Sequence, residues 1–231
     1  IQRWQSLVDG RVDRIPLQHL LGTAEFCGLA FEINSSVLAP RPETELLAEA
    51  AWAVAAIKEE SVVLDIGTGS GCLAVSVAVH AEETTIHALD ISNAAINVAR
   101  ANAERHGVAE RIIFHEGDAR VALPGTCLFD VIVSNPPYIP SAEIESLQIE
   151  VRDHDPRLAL DGGLDGLEFY RSLAVSCLSR LRSDGRLLLE VGDGQGEVVA
   201  DLITAQGGRV LEILPDLNNI ERIVVASSDN S

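Results

Sequence analysis

An α/β protein with one open central sheet of about seven strands is predicted, on three observations. From Ser61 onward, short apolar runs alternate with helical patterns. A glycine-rich turn, Gly67-Thr68-Gly69-Ser70-Gly71, joins the first such run to the first such helix. The apolar run 129–134, with β-branched Val131, Ile132 and Val133, stops abruptly at Asn135-Pro136-Pro137-Tyr138.

Residues 1–10 read as the tail of a helix, with Trp4, Leu7 and Val8 apolar and Gly10 as its stop. A charged link, 11–14, leads to an ordered segment from Pro16. Residues 24–33 form a β-hairpin, with Gly28 between two apolar stretches. Pro40 and Pro42 stiffen a loop, and Pro42 suits the first turn of a helix that runs to about Lys58. Leu46, Leu47, Ala50, Ala51 and Val54 make its buried stripe. Arg41, Glu43 and Thr44, at its start, suit capping and ligand contact alike.

The next strand is 62–66, followed by a helix from Cys72 to about His80 and a strand at 85–90. Ser92 caps a helix that carries Ala95, Ile96, Val98 and Ala99 and ends near Gly107. Strands follow at 111–114 and 129–134. Residues 140–165 are long, polar and irregular, as lids and binding loops are. A helix from Gly166 to about Arg182, a strand at 185–191, a helix at about 196–205 and closing strands at 210–214 and 222–226 complete the sheet. Residues 227–231 read as a frayed end.

At 231 residues and 47% hydrophobic, the chain fits one large domain with an ample core. Its net charge is −18 and Lys58 is its only lysine. Phosphates are neutralised by clustered cations, and no basic stripe is present. A nucleic-acid substrate is therefore not expected, and a protein partner or a small molecule is favoured. Cys27, Cys72, Cys127 and Cys177 show no CxxC spacing, and the histidines no HxxxH or HExxH spacing. Neither a metal site nor a disulfide framework is expected, and reduced thiols in a cytoplasm are. No apolar run approaches the ~20 residues of a membrane span, and no basic-then-apolar leader is present. A monomer is expected. With no Met anywhere, the sequence is expected to begin partway into a longer protein.

Two stretches carry chemistry. Pro136 and Pro137 lack N–H groups and hold φ near about −65°. They leave bare carbonyls and the Asn135 side chain above a strand end, where open α/β sheets bind ligands. Rigid acceptors followed by an aromatic ring suit a planar NH2 group, either an amide or the exocyclic amine of a base. Alone, the motif also fits a polar turn capped by Pro-Pro. The glycine turn makes the other stretch a Rossmann-like fingerprint. Asp90 ends the next strand 19 residues after Gly71, near the expected ~20. Gly67, Gly69 and Gly71 admit a ligand to the backbone, and Asp90 can accept from both hydroxyls of a ribose. NAD would suit such a turn too. However, Asp65 beside the glycines disfavours a pyrophosphate and suits the amino or sulfonium group of S-adenosylmethionine (AdoMet). Asp118, after the third strand, can receive an adenine amine. An NAD enzyme also has no need of an amine-binding motif.

The chain resembles the protein-(glutamine-N5) methyltransferases that modify bacterial translation release factors. Five segments carry the resemblance: Pro16-Leu17-Gln18-His19-Leu20-Leu21-Gly22, Pro40-Arg41-Pro42-Glu43-Thr44-Glu45, Leu64-Asp65-Ile66-Gly67-Thr68-Gly69-Ser70-Gly71, Asn135-Pro136-Pro137-Tyr138 and Leu160-Asp161-Gly162-Gly163-Leu164-Asp165-Gly166. The Asn-Pro-Pro-Tyr motif is shared with amine methyltransferases of DNA and RNA; combined with the second and fifth segments it is much more specific. The resemblance implies a Rossmann-like, seven-stranded AdoMet-dependent methyltransferase fold over 37–231, its last strand antiparallel. Residues 1–36 would be the remnant of an N-terminal helical domain plus a β-hairpin linker. It implies methylation of the glutamine in a Gly-Gly-Gln tripeptide of a release factor, with S-adenosyl-L-homocysteine as product. Asp65, Ile66, Gly67, Thr68, Gly69, Asp90, Ala119 and Asn135 would contact the cofactor, joined by Asp118 on the reasoning above. Asn135, Pro136, Pro137 and Tyr138 would hold the glutamine. In that role Asn135 Oδ1 and the Pro136 carbonyl accept the two amide N–H bonds and Tyr138 packs on the amide plane. No general base is evident in the sequence. Near the C-terminus, Asp216-Leu217-Asn218-Asn219-Ile220-Glu221-Arg222 replaces a glycine-containing version of a turn. The competing readings are an exocyclic-amine methyltransferase of nucleic acid, a chain that only binds AdoMet or a partner, and a dinucleotide oxidoreductase.

Overall fold

The computed structural model describes residues 2–228. Helices α1 (Gln2–Val12) and α2 (Leu17–Leu21) precede a hairpin of β1 (Thr23–Phe26) and β2 (Leu29–Glu32). Then come α3 (Pro42–Ala55), β3 (Val62–Ile66), α4 (Cys72–His80), β4 (Thr85–Asp90), α5 (Asn93–Arg105), β5 (Ile112–Glu116) and β6 (Phe129–Ser134). The remainder is α6 (Ile149–Arg152), α7 (Glu168–Cys177), β7 (Leu181–Glu190), α8 (Gly196–Ala205), β8 (Gly208–Pro215) and β9 (Glu221–Ser228).

Seven strands form one sheet in the order β5-β4-β3-β6-β7-β9-β8. All run parallel except β9, which pairs antiparallel with both β7 and β8. The expected strand count and the antiparallel last strand are both present. Strand alternation sorts the core. Val63, Val131, Val133 and Leu188 face α3 and α4, while Leu64, Ile66, Ile132, Leu187 and Leu189 face α7 and α8. The hairpin sits over α5, where Asn102 Nδ2 donates to the Glu32 carbonyl at 2.9 Å and to the Ser70 carbonyl at 2.9 Å.

Local chemistry accounts for the helix starts. Pro42 stands at the head of α3, with Glu43 and Glu45 in its first turn facing the positive end of the helix dipole. Ser92 Oγ accepts from Ala95 N at 3.2 Å and caps α5. Several boundaries differ from the sequence expectation, each for a physical reason. Helix α1 passes through Gly10, because the missing Cβ there makes room for Leu20. Helix α3 ends at Ala55, and Lys58 turns back to pair with the buried Asp130 at 2.8 Å. Asp130 also accepts from Val62 N and Arg182 at 2.9 Å each, so the one lysine serves the sheet's amino end. Strand β7 starts at Leu181, earlier than expected, because a bulge opposite Phe129 and Val131 lets it run through Gly185. Ser227 and Ser228, expected to fray, are buried in β9; 229–231 lie outside the described residues. The 140–165 stretch holds α6 and two single turns, Ile144–Ser146 and Arg157–Ala159.

The parallel strands run outward in both directions from the β3–β6 pair, and that reversal opens a crevice over their carboxyl ends. Gly71 is the tightest point of the loop there. Its φ is +80°, and a Cβ would lie 2.9 Å from the Ala99 Cβ on α5. Gly71→Ala should cost about 1–2 kcal/mol for the left-handed backbone and a further ~1–3 kcal/mol for overpacking. Adding Ala99→Gly should recover little of this, because the Ala99 Cα would still lie 3.0 Å from the new Cβ, as read from urea midpoints at constant m-value.

Candidate active site

A cavity of about 670 Å³ fills the crevice. Of the residues expected at the cofactor, Ile66, Gly67, Thr68, Gly69, Asp90, Asp118, Ala119 and Asn135 line it, and so do Pro136 and Pro137. The glycine loop is held open by its backbone: Gly67 N and Thr68 N both donate to the Leu89 carbonyl, at 2.8 and 3.1 Å. Asp90 is oriented by two amides, accepting from Gly69 N at 2.9 Å and Ser92 N at 2.8 Å. Asp118 is already paired. Arg120 grips it through Nε and Nη2, at 3.0 and 2.8 Å, and holds its carboxyl below the usual carboxylate range. The same guanidinium stacks over Phe169 at 4.8 Å from the ring centre.

Asp65 does not line the cavity. It lies fully buried beneath the glycine loop, where the Thr68 hydroxyl donates to Oδ2 at 2.7 Å. Its Oδ1 has no partner among the described residues. Burial, reinforced by the charge of Asp90, pushes this carboxyl up to about 7.

Tyr138 is not in the large cavity either. It lines a neighbouring one of about 280 Å³ with Arg41, Glu43, Glu190 and Arg222. Its carbonyl accepts from Gln195 Nε2 at 3.0 Å, and Gly162 packs so closely that a Cβ there would lie 2.8 Å from the Tyr138 Cα. The Leu160–Gly166 segment thus needs its glycines to lie against the Asn-Pro-Pro-Tyr turn. It is stitched there by Ile139 N to the Leu160 carbonyl at 3.0 Å and by Gly162 N to the Ile139 carbonyl at 2.8 Å. Asn135 lines both cavities and stands between them. Its Nδ2 donates to Thr44 Oγ1 at 3.1 Å.

Four further residues at the site were not singled out by the sequence. Leu38 and Ala159 line both cavities, as Arg41 does. Leu158 and Phe169 line the larger one. Every cavity-lining arginine is paired: Arg41 with Asp155 at 2.6 Å, Arg120 with Asp118 at 2.8 Å, Arg157 with Glu145 at 3.3 Å, and Arg222 with Asp216 at 3.1 Å.

Comparison with known proteins bears on the fold and on the family. The methyltransferase small domain family matches residues 43–153. Among solved structures, the human Mettl16 catalytic domain, crystallised with an MAT2A 3′UTR hairpin, superposes with TM-score 0.67 at 17% identity. That match covers 88% of this chain and 77% of the other. The ribosomal protein L11 methylase of Lactobacillus delbrueckii subsp. bulgaricus gives TM-score 0.61 at 20% identity, over 81% and 80%. These likenesses show the fold, an open α/β sheet of the kind that solved methyltransferases have. At the sequence level, the release factor glutamine methyltransferase of Geobacter sulfurreducens is 45% identical over 95% of this chain and 76% of its own length. That of Gloeobacter violaceus is 46% identical over 96% and 77%. The chain belongs to the release factor glutamine methyltransferase family, and it is an AdoMet-dependent methyltransferase. Among the described residues, no helix is long and apolar enough to cross a membrane.

The raised Asp65 has a consequence for stability. The folded protein keeps a proton that the unfolded chain, with an ordinary value of 3.8, releases. Stability is therefore lost as pH rises from about 4 through about 7. Asp65→Asn keeps an acceptor for Thr68 and removes that loss, which is at most about 4 kcal/mol. Its Tm should exceed the parent's by roughly 5 °C at about pH 8 and match it near pH 4, as calorimetry without ligand would read.

Proposed function

We propose that the chain transfers a methyl group from AdoMet to the side-chain amide nitrogen of the glutamine in a release factor's Gly-Gly-Gln tripeptide. The observation that carries this reading is Asn135. It stands where the two cavities meet, with its nitrogen committed to Thr44 and its oxygen left for a ligand. An acceptor fixed at that junction suits an NH2 group brought from one cavity against a donor held in the other.

The larger cavity fits AdoMet by its chemistry. Its walls offer carboxylates and open backbone, and beneath them Asp65 Oδ1 lacks a partner in a site that resists bare negative charge. A cationic ligand above the loop would relieve that. Asp90 would hold the ribose hydroxyls, and Asp118, released in part from Arg120, the adenine amine. Ile66, Gly67, Thr68, Gly69 and Ala119 would supply the backbone wall. When bound, AdoMet supplies an electrophilic methyl on a sulfonium. An amide nitrogen is a poor nucleophile because its lone pair is delocalised, so this chain's residues must position it. Asn135 Oδ1 and the Pro136 carbonyl would accept the two N–H bonds, with no N–H from Pro136 or Pro137 to compete. Tyr138, on the far side of Asn135, would bound the amide and the chain that carries it. Fixed acceptors stabilise positive charge as it develops on nitrogen, as oxyanion-hole donors stabilise the opposite charge. As the N–C bond forms and the S–C bond breaks, the nitrogen's proton leaves to water. Each cavity arginine is already ion-paired, so the mouth offers phosphates little, and a protein acceptor is favoured over nucleic acid.

Incubation with AdoMet and a release factor should add one methyl to the Gly-Gly-Gln glutamine, read by peptide mass spectrometry, with none on nucleic acid offered in parallel. Asn135→Ala should lower turnover at saturating AdoMet by about 100- to 1,000-fold, a loss far larger than any it causes in AdoMet affinity. A near-parental rate in that variant would falsify the assignment.

A further inference from the structure

Glu190 ends β7 and is only 4% exposed. The register pairs Ser134 with Leu189, so Asn135 and Glu190 leave adjacent strands side by side. The Glu190 Oε2 has no hydrogen-bond partner among the described residues, and the residue lines the smaller cavity with Asn135 and Tyr138. Both the Thr44 hydroxyl and the Asn135 amide approach the carboxyl and favour its charged form. Thr44 is itself buried, and it receives the Asn135 Nδ2 hydrogen at 3.1 Å. A hydroxyl has one hydrogen to give. Once Thr44 has accepted from Asn135, its own hydrogen is free for Glu190.

We propose that Glu190, acting through Thr44, is the positioning residue that sets which end of the Asn135 amide meets the methyl acceptor. This rests on the reading of Asn135 given above. An ionised Glu190 can only accept, so it turns both the Thr44 hydroxyl and the Asn135 NH2 toward itself and leaves Oδ1 outward. A protonated Glu190 can donate, which reverses the order along Thr44 and lets the amide flip. Asn135 would then present hydrogens to the hydrogens of the substrate amide, and the acceptor site would be lost. The surrounding charges divide. Arg222 favours the carboxylate and Glu43 opposes it. Arg41 and Tyr138 line the same cavity, and burial keeps the phenol protonated. Burial outweighs all of these and pushes Glu190 up to about 7.

The test is single-turnover methyl transfer to release factor at saturating AdoMet, across about pH 5.5 to 9. The parent rate should fall about tenfold per pH unit below about 7. Asp65 titrates in the same range, but its effect is expected in cofactor affinity, which saturation removes. Glu190→Gln should lose the acid limb and run about 10- to 100-fold slower at about pH 8, with AdoMet affinity within about twofold. Thr44→Val should slow the reaction likewise, and it carries the test should Glu190→Gln fail to fold. A parental rate with the acid limb intact in either variant overturns the proposal, as does a loss confined to AdoMet affinity. The two readings separate cleanly. If Asn135→Ala stops turnover while Glu190→Gln keeps the parental rate and profile, only the positioning role is lost. If Asn135→Ala also keeps its rate, the assignment of Asn135 fails first.

Discussion

Everything at the site hangs on the parallel pairing of β3 with β6. Asp65 lies opposite Val133, and Ile66 opposite Ser134. One residue further on, the first strand becomes the glycine loop and the second becomes Asn135-Pro136. Ser134 Oγ closes the pair by donating to the Ile66 carbonyl at 2.8 Å, a bond made where ladder pairing stops. A slip of one residue would send Asp65 to the opposite face and carry Asn135 away from the loop. The register is protected against slipping because both strands are buried on both faces. Val63 and Val131 pack one side, Leu64 and Ile132 the other, all without exposure. The apolar core thus sets the chemistry by fixing where two strand ends stand relative to each other.

Burial at this junction runs against the stability of its carboxyl groups. Asp65 and Glu190 are both shut from water, both lack a partner on one oxygen, and both are raised to about 7. A fold selected for stability alone would place an amide or an apolar group at either point. An enzyme gains from them, because an unsatisfied acceptor in a dry site is a standing demand for a donor or a cation. The two carboxyls make that demand from different places, one under the glycine loop and one behind Asn135. Only Glu190 lines a cavity; Asp65 stays beneath the loop that borders the larger one.

Much of this was legible in the sequence, and the misses share a cause. The glycine turn and the Asn-Pro-Pro-Tyr stop are local signals, read from neighbours along the chain, and both mark strand ends at the crevice. Helix α8 and the hairpin about Gly28 were equally local. Tyr138 was grouped with Asn135 on sequence adjacency. The prolines, Gly162 and Gln195 redirect the chain, so the ring faces the smaller cavity instead. Asp118 was read without Arg120, which lies two residues on and folds back over it. Glu190 is, from the sequence, one residue inside the strand at 185–191, and Thr44 is a residue that suits capping and ligand contact alike. Only sheet register brings Glu190 beside Asn135, and only tertiary packing brings Thr44 there across 91 residues. Periodicity carries no information about contacts of that range.

The second to fifth segments of the resemblance all line or back the cavities, but the first, about His19, lies away from them. Asp155 explains its place. This carboxylate, buried in the 140–165 loop, meets Arg41 at 2.6 Å and His19 Nε2 at 3.4 Å. Burial outweighs the Arg41 charge and the His19 contact and raises the Asp155 pKa, so the cluster is a poor source of net stability. Its consequence is positional. Arg41 lines both cavities, and its direction is set by a residue of the loop that roofs them. That loop is held in turn by α2 through His19 and by the Asn-Pro-Pro-Tyr turn through Ile139. Segments with no strand or helix in common are thereby referred to one another, and the acceptor-side cavity takes its floor from strand ends (Asn135, Glu190, Arg222) and the placing of Arg41 from the Asp155 contact.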